Sequence, residues 1–265
     1  MALSMQFVRE LVRTRNFSDF TFKVPIGEDH ELHKVILAAT SPVLGRFLLE
    51  HDKEADLFEL FVDSSAEQIK HADDFTKLAL CAGMSDVFAF CYLGDYKNSH
   101  RDGSSDFDVR VMSHLLTHDL AHRFQIGGLV ELTSCHFKKA FLWYCANSTS
   151  EDVKVALQEC SAPNFVKDSG LTGHALNLLH DTALAAFANQ VGAYKTNGRF
   201  REALELMEAV PLATAELYSR RSIQAADAEG SQEGDEEEDE YVEVEGDEDR
   251  EEVLQEDGTA RSGTQ

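Results

Sequence analysis

Three histidines of one segment have the spacing that most directly suggests metal chemistry. His114, His118 and His122 recur every four residues, which on a helix aligns their imidazoles along one face, as zinc or nickel ligands can be aligned. No cysteine or glutamate stands in ligand register beside them. The apolar stripe of the segment is formed by other positions, namely Leu115, Leu116, Leu120 and Phe124. We therefore expect these imidazoles on a solvated face, with no bound metal.

Two histidine–aspartate dipeptides suggest a second chemistry, metal-dependent phosphohydrolysis. His118-Asp119 and His180-Asp181 both match the His-Asp pair that such enzymes carry on helices. The further ligands that this class needs are not found at helical spacings. No Gly-x-Ser-x-Gly motif, phosphate-binding loop or dinucleotide fingerprint occurs. The sequence favours a non-enzymatic protein without a cofactor, and a phosphohydrolase is the alternative from another class.

Residues 16–33 predict a β-hairpin. Phe20, Phe22 and Val24 alternate with polar residues, which is typical of a strand that buries one face. Turn residues follow, and Leu32 stands between polar neighbours as a short return strand.

Two tight helices are predicted directly after the hairpin. The apolar run at 35–39 indicates a helix inside the core. Ser41 before Pro42 predicts the start of the second helix, because a serine oxygen can cap free amides and proline suits the first helical position. Its buried stripe is expected at Leu44, Phe47 and Leu48.

Three blocks of the sequence resemble the BTB/POZ family. They are Ser18-Asp19-Phe20 with His33-Lys34, Leu37, Ala39 and Ser41-Pro42; then Phe88 to Tyr96; and then Leu120 to Leu132. The chain is similar in character to small fungal BTB proteins, and the resemblance implies an α+β BTB/POZ fold over residues 1–145: a short mixed sheet with a cluster of helices. The chain departs from the family pattern at 50–85, with an insertion around 63–85. There either 57–62 or 77–81 is expected as the next strand.

The remaining chain is predicted to be helical and then disordered. Helices are expected from Phe107 to Cys145, with Gly127-Gly128 ending the first of them, and the capping box of Ser148 and Glu151 predicts another. An α-helical extension is assigned to 146–222 and a disordered acidic tail to 223–265. Within the tail, Tyr241 to Val244 is either a strand that a partner sheet could add or a solvated spacer.

Charge and composition limit the partners and the compartment. The net charge is −24, of which the tail from Ala225 carries −16 with 18 acidic and 2 basic residues, so −8 falls on the first 224 residues. This balance argues against direct nucleic-acid binding and against an anionic membrane surface. Five cysteines without a Cys-x-x-Cys pair, and no apolar run long enough to span a membrane, predict an intracellular protein, cytoplasmic or nuclear.

The BTB resemblance implies protein binding and homodimerisation. Phe7 and Leu11 belong to an amphipathic segment, 3–15, that covers either its own domain or a second copy. Asp19 and Lys34 match the family's charged pair near the dimer groove; alternatively, Asp19 caps local backbone and Lys34 is solvated.

A Cullin-3-type ubiquitin ligase adaptor is the alternative function that the resemblance implies. Such family members carry a hydrophobic-x-Glu triplet just after the second helix. Leu48-Leu49-Glu50 and Leu57-Phe58-Glu59 both fit it, with Leu48 and Glu50 or Leu57 and Glu59 as the contacts.

Overall fold

The chain is α+β, mostly helical with one small mixed sheet. The computed structural model describes Glu10, Thr14 and residues 17–24, 27–61, 74–96, 106–162 and 171–230, without the side chains of 74–76 and 221–230. The strands are β1 (Phe20–Lys23), β2 (His30–Leu32) and β3 (Glu54–Asp56). The helices are α1 (Lys34–Thr40), α2 (Pro42–Glu50), α3 (Asp74–Leu93), α4 (Ser113–Arg123), α5 (Gly127–Asn147), α6 (Ser150–Ser161), α7 (Gly173–Thr196), α8 (Phe200–Ala209) and α9 (Pro211–Gly230). The predicted fold class is confirmed at this level.

The sheet has the order β2-β1-β3. β1 and β2 pair antiparallel with Phe20 opposite Leu32, so the predicted hairpin is confirmed. β3 lies parallel to β1 with Ala55 beside Phe22. Both strand candidates for this region are wrong, because 57–60 form a 3-10 turn and 77–81 lie inside α3. The carboxylate of Asp56 accepts a hydrogen bond from Phe58 N at 2.9 Å, which starts the turn directly after β3.

The α1–α2 helix pair follows the hairpin directly in the sequence. Ser41 caps α2 as predicted, accepting from Leu44 N at 3.0 Å, and the predicted stripe of Leu44, Phe47 and Leu48 is buried. The expectation that the 35–39 run lies inside the core is wrong: in α1 only Leu37 is buried. A Cβ on Gly45 would lie 3.3 Å from the Cα of Ala38, so glycine permits the close packing of the pair.

Two clusters of buried side chains share the middle helices. The first cluster gathers the sheet, α1, α2 and α3 around residues such as Phe22, Leu44 and Met84. The second gathers α5 to α9 around residues such as Phe137 and Phe187. α4 contributes Leu120, Ala121 and Phe124 to the first cluster and Leu115 to the second. One compact unit spans Met1–Arg220, and a separate unit spans Arg221–Gln265.

Several helix ends differ from the prediction. α4 ends at Arg123 and Gln125 takes a positive φ of 56°, so Gly127-Gly128 begin α5 where we expected them to end a helix. α6 is capped by Thr149, one residue after the predicted cap. α9 starts at Pro211 and extends to Gly230, past the predicted end of the helical extension. Within the described ranges, no helix is long and apolar enough to cross a membrane.

Candidate functional site

Asp19 fixes the start of α1 from the strand side. Its Oδ1 accepts a hydrogen bond from the backbone N–H of Lys34 at 2.8 Å, so the carboxylate caps one of the free amides at the helix N-terminus. Among the described contacts the Asp19 carboxylate forms no ion pair with the Lys34 ammonium. Of the two interpretations of Asp19, the structure supports the local cap.

The ammonium of Lys34 fixes the end of α2. Nζ donates to the carbonyl oxygens of Leu48 at 3.1 Å, His51 at 2.5 Å and Asp52 at 2.6 Å, and it lies 5.1 Å from the centre of the Phe20 ring. A cation at this end satisfies carbonyls that the helix leaves free and complements its dipole. The expectation of a merely solvated Lys34 is therefore wrong. Lys34 and Asp19 together hold α1 against both α2 and the sheet.

His33 and Tyr92 tie the same region to α3. The Tyr92 hydroxyl accepts from His33 N at 2.7 Å and lies 2.8 Å from His33 Nδ1. Burial of the phenol raises the pKa of Tyr92 to about 12, so it is a neutral hydrogen-bonding group at physiological pH. Sequence reasoning did not predict a role for Tyr92 itself, because its partner His33 lies 59 residues earlier in the chain.

The solvent side of the α1–α2 pair exposes four apolar side chains and one arginine. We call it the α1–α2 face and define it by Val35, Ala38, Ala39, Arg46 and Leu49, all of which are exposed. Val35 is 73% exposed and Leu49 is 87% exposed. Large apolar side chains left this open on two packed helices are typical of a partner-binding surface when they are grouped.

Neither hydrophobic-x-Glu triplet presents its first residue to solvent. Leu48 is 3% and Leu57 0% exposed, and both belong to the first buried cluster, so neither supplies the exposed apolar anchor that was expected. Glu59 is exposed and its carboxylate lies 3.2 Å from His51 Nε2. Glu50 is exposed, as is Leu49 before it, so these are the two solvent-facing residues of the first triplet.

The prediction that the α4 histidines lie on a solvated face is wrong for His114 and His118. His118 is only 4% exposed, and its Nδ1 lies 3.0 Å from Thr133 Oγ1 and 3.2 Å from the carbonyl of Val130. His114 Nδ1 lies 3.0 Å from the Tyr96 hydroxyl. α4 is enclosed because α3, α5 and α7 all pack against it. The described residues contain no group of three His, Cys, Asp or Glu side chains that could hold a metal ion.

The two His-Asp dipeptides form separate structural contacts. Asp119 accepts from Thr172 at the start of α7 and pairs with Arg123. In the second dipeptide, His180 pairs with Glu216 at 2.7 Å and Asp181 pairs with Arg220 at 3.2 Å, on an exposed surface. Each acid and each imidazole is thus accounted for by a contact between helices.

Two predicted interface residues, Phe7 and Leu11, lie outside the described residues. No protein-family model matches the chain, and no curated protein matches it. Asp19 and Lys34, the other two predicted interface residues, are described, and both make contacts that position the helices of the α1–α2 face.

Proposed function

We propose that this chain is a non-enzymatic BTB/POZ-type interaction module that forms a homodimer through its α1–α2 face. One observation carries the proposal: Val35 and Leu49 stand exposed on two helices whose ends are pinned by Asp19 and Lys34. A surface held this firmly loses little conformational entropy when it binds, so more of the apolar burial remains as binding free energy.

The area that a dimer must bury suggests that the amphipathic segment 3–15 is part of the interface. A stable interface buries about 800 Å² on each partner, which is more than a few side chains of two short helices supply. The apolar residues Phe7 and Leu11 precede β1 in the sequence and would contribute the remainder. A two-fold interface then brings two copies of the same surface together.

Sedimentation equilibrium of the full chain tests the proposal. The wild type is expected at twice the 29.5 kDa chain mass, and Val35→Glu combined with Leu49→Glu is expected at the single-chain mass, because four buried carboxylates per dimer would lack partners. Leu204→Glu is the matched control, since Leu204 is 56% exposed on the distant helix α8. A monomeric wild type across a wide concentration range would remove the proposal. A double variant that remains dimeric would assign the interface to another surface.

A second candidate, the Cullin-3-type adaptor, is favoured by the exposed pair Leu49 and Glu50 at the end of α2. Capture of the chain by an immobilised cullin N-terminal domain, weakened by Glu50→Ala and unchanged by Glu59→Ala, is the expected result. No capture of the wild type would contradict this candidate without affecting the dimer.

A further inference from the structure

Three imidazoles connect α4 with the first turn of α7. The His118 ring meets the His122 ring edge-on at a centroid distance of 4.8 Å, and the His122 ring stacks on that of His174 at 4.4 Å with planes 3° apart. His174 is the second residue of α7. We call His118, His122 and His174 the histidine joint.

A buried carboxylate holds the same two helices together beside the joint. Asp119 is only 2% exposed; its Oδ1 accepts from Thr172 N at 2.7 Å and from Thr172 Oγ1 at 2.5 Å, while Oδ2 accepts from Arg123 Nε at 2.6 Å. Thr172 is the N-cap position of α7, so the anion sits at the positive end of that helix. This contact joins residues 53 positions apart in the sequence.

The charges around the joint leave a protonated imidazole poorly balanced. On α4, Asp119 is already bound by three donors that include the Arg123 guanidinium. α5 presents the Val130 carbonyl and the Thr133 hydroxyl to His118, and its His136 stacks on His114 one turn away. On α3, Asp86 accepts from Thr117, and α7 contributes His174 itself.

We propose that the histidine joint is a proton-sensitive contact: neutral imidazoles keep the first turn of α7 on α4, and protonation releases it. A positive ring at His122 faces the His174 imidazole and the positive end of α7, so closure becomes unfavourable. Release hydrates the rings and separates the Asp119–Thr172 contact. Acidification would thereby loosen the second core cluster from α4 while the sheet and the α1–α2 pair stay folded.

The direction of the titration agrees with this geometry. Burial first, and the neighbouring His122 second, lower the pKa of His118 from 6.5 to about 4, and burial lowers the pKa of His122. Because these pKa values are depressed in the closed state, the closed state is fully favoured above pH 6.5 and loses that advantage as the pH falls towards 4. If the open state restores the ordinary value, the opening equilibrium grows about thirtyfold between pH 7.5 and pH 5.0 from His118 alone.

Hydrogen exchange of the full chain at pH 7.5 and 5.0, expressed as protection factors, measures this opening. Amides at 176–180, of which Leu176 N is the first to donate to a helix carbonyl, are expected to lose about thirtyfold protection at pH 5.0, and amides of the α1–α2 pair are expected to keep theirs. His118→Gln, which retains a hydrogen-bonding group near Thr133, should remove most of the pH effect, and His122→Gln should reduce it. His180→Gln, in an exposed contact on the same helix, should leave it unchanged.

Three outcomes would overturn the proposal. They are an unchanged protection at 176–180 between the two pH values, an equal loss in the α1–α2 pair, and a pH effect that survives both His118→Gln and His122→Gln. The His122 variant keeps the test decisive should His118→Gln fail to fold, because His122 is only partly buried.

Discussion

Replacing Ser41 with alanine is expected to cost more than the loss of an ordinary helix cap. The Ser41 hydroxyl accepts from Leu44 N at 3.0 Å and donates to the carbonyl oxygen of Phe124 at 2.6 Å. It therefore caps α2 and at the same time ties it to the end of α4. Ser41 is 0% exposed, so water cannot take over either bond in the variant.

The expected cost follows from the two bonds. The loss of a serine cap costs about 1 kcal/mol, and a buried carbonyl that loses its donor costs a further 1 to 3 kcal/mol, roughly. We expect Ser41→Ala to lower the free energy of unfolding by about 2–4 kcal/mol. This would be a large share of the stability of a typical domain, which is roughly 5–15 kcal/mol.

Urea unfolding followed by far-UV circular dichroism measures the difference. Thr149→Ala is the matched control, because Thr149 caps α6 by accepting from Asp152 N at 3.2 Å at an exposed site. The control should cost about 1 kcal/mol. If Ser41→Ala costs no more than the control, with equal denaturant slopes, the bond to Phe124 contributes nothing and the reasoning is wrong.

Three other substitutions or reactions test separate parts of the structure. Lys34→Met removes the donor to three carbonyls at the end of α2 and should lower the unfolding free energy by about 1–3 kcal/mol in urea titrations. Lys34→Arg keeps a cation there and should lower it less. If the Met and Arg variants are equally stable, the ammonium does not cap α2. Gly83→Ala places a Cβ 2.8 Å from Leu120 Cδ1, so its melting temperature should fall although alanine favours helix; a rise would contradict the close packing of α3 on α4. Iodoacetamide at pH 8 should alkylate Cys135 first, as judged by mass spectrometry, because this thiol is exposed. Burial raises the pKa to about 12 for Cys91, Cys145 and Cys160, so these thiols should react slowly. Rapid alkylation of a second cysteine would contradict this prediction.

Local patterns predicted the hairpin and the cap of α2 correctly. Each depends on residues close in sequence: the alternation around Phe20 and Phe22, and the serine before Pro42. β3 could not be predicted in this way. Its triplet 54–56 contains one apolar residue, Ala55, and becomes a strand because β1 supplies a parallel partner.

The burial of α4 was mispredicted because one apolar stripe was assumed to be its only buried face. Three helices surround α4, so its polar face is enclosed as well, and the partners of His114 and His118 come from distant segments. The opposite error occurred at α1, where an apolar run was assigned to the core although Val35, Ala38 and Ala39 face solvent. Helical periodicity shows which residues share a face, but tertiary contacts decide how many faces are covered.

Local sequence patterns could not predict the role of Lys34 either. A lysine at a helix start is ordinarily assigned to solvent, and the carbonyls that it meets follow it by 14 to 18 residues. One of the two interpretations of Asp19, a backbone cap, is correct. It could be predicted because the short carboxylate side chain of aspartate prefers to accept from nearby backbone amides wherever it occurs.

α4 and α5 both contribute to the two buried clusters, α5 through Leu129 in the first and Phe137 in the second, and this limits how the protein can be cut or recombined. A fragment ending at residue 145 would uncover Phe137 and Phe141, because most other members of their buried cluster, such as Leu157, Leu179 and Phe187, lie further along the chain. Grafting the later helices from another protein would likewise succeed only if the graft reproduced the surface that these two rings require. We therefore expect residues 1–145 and the helices that follow them to be expressed and engineered as one piece.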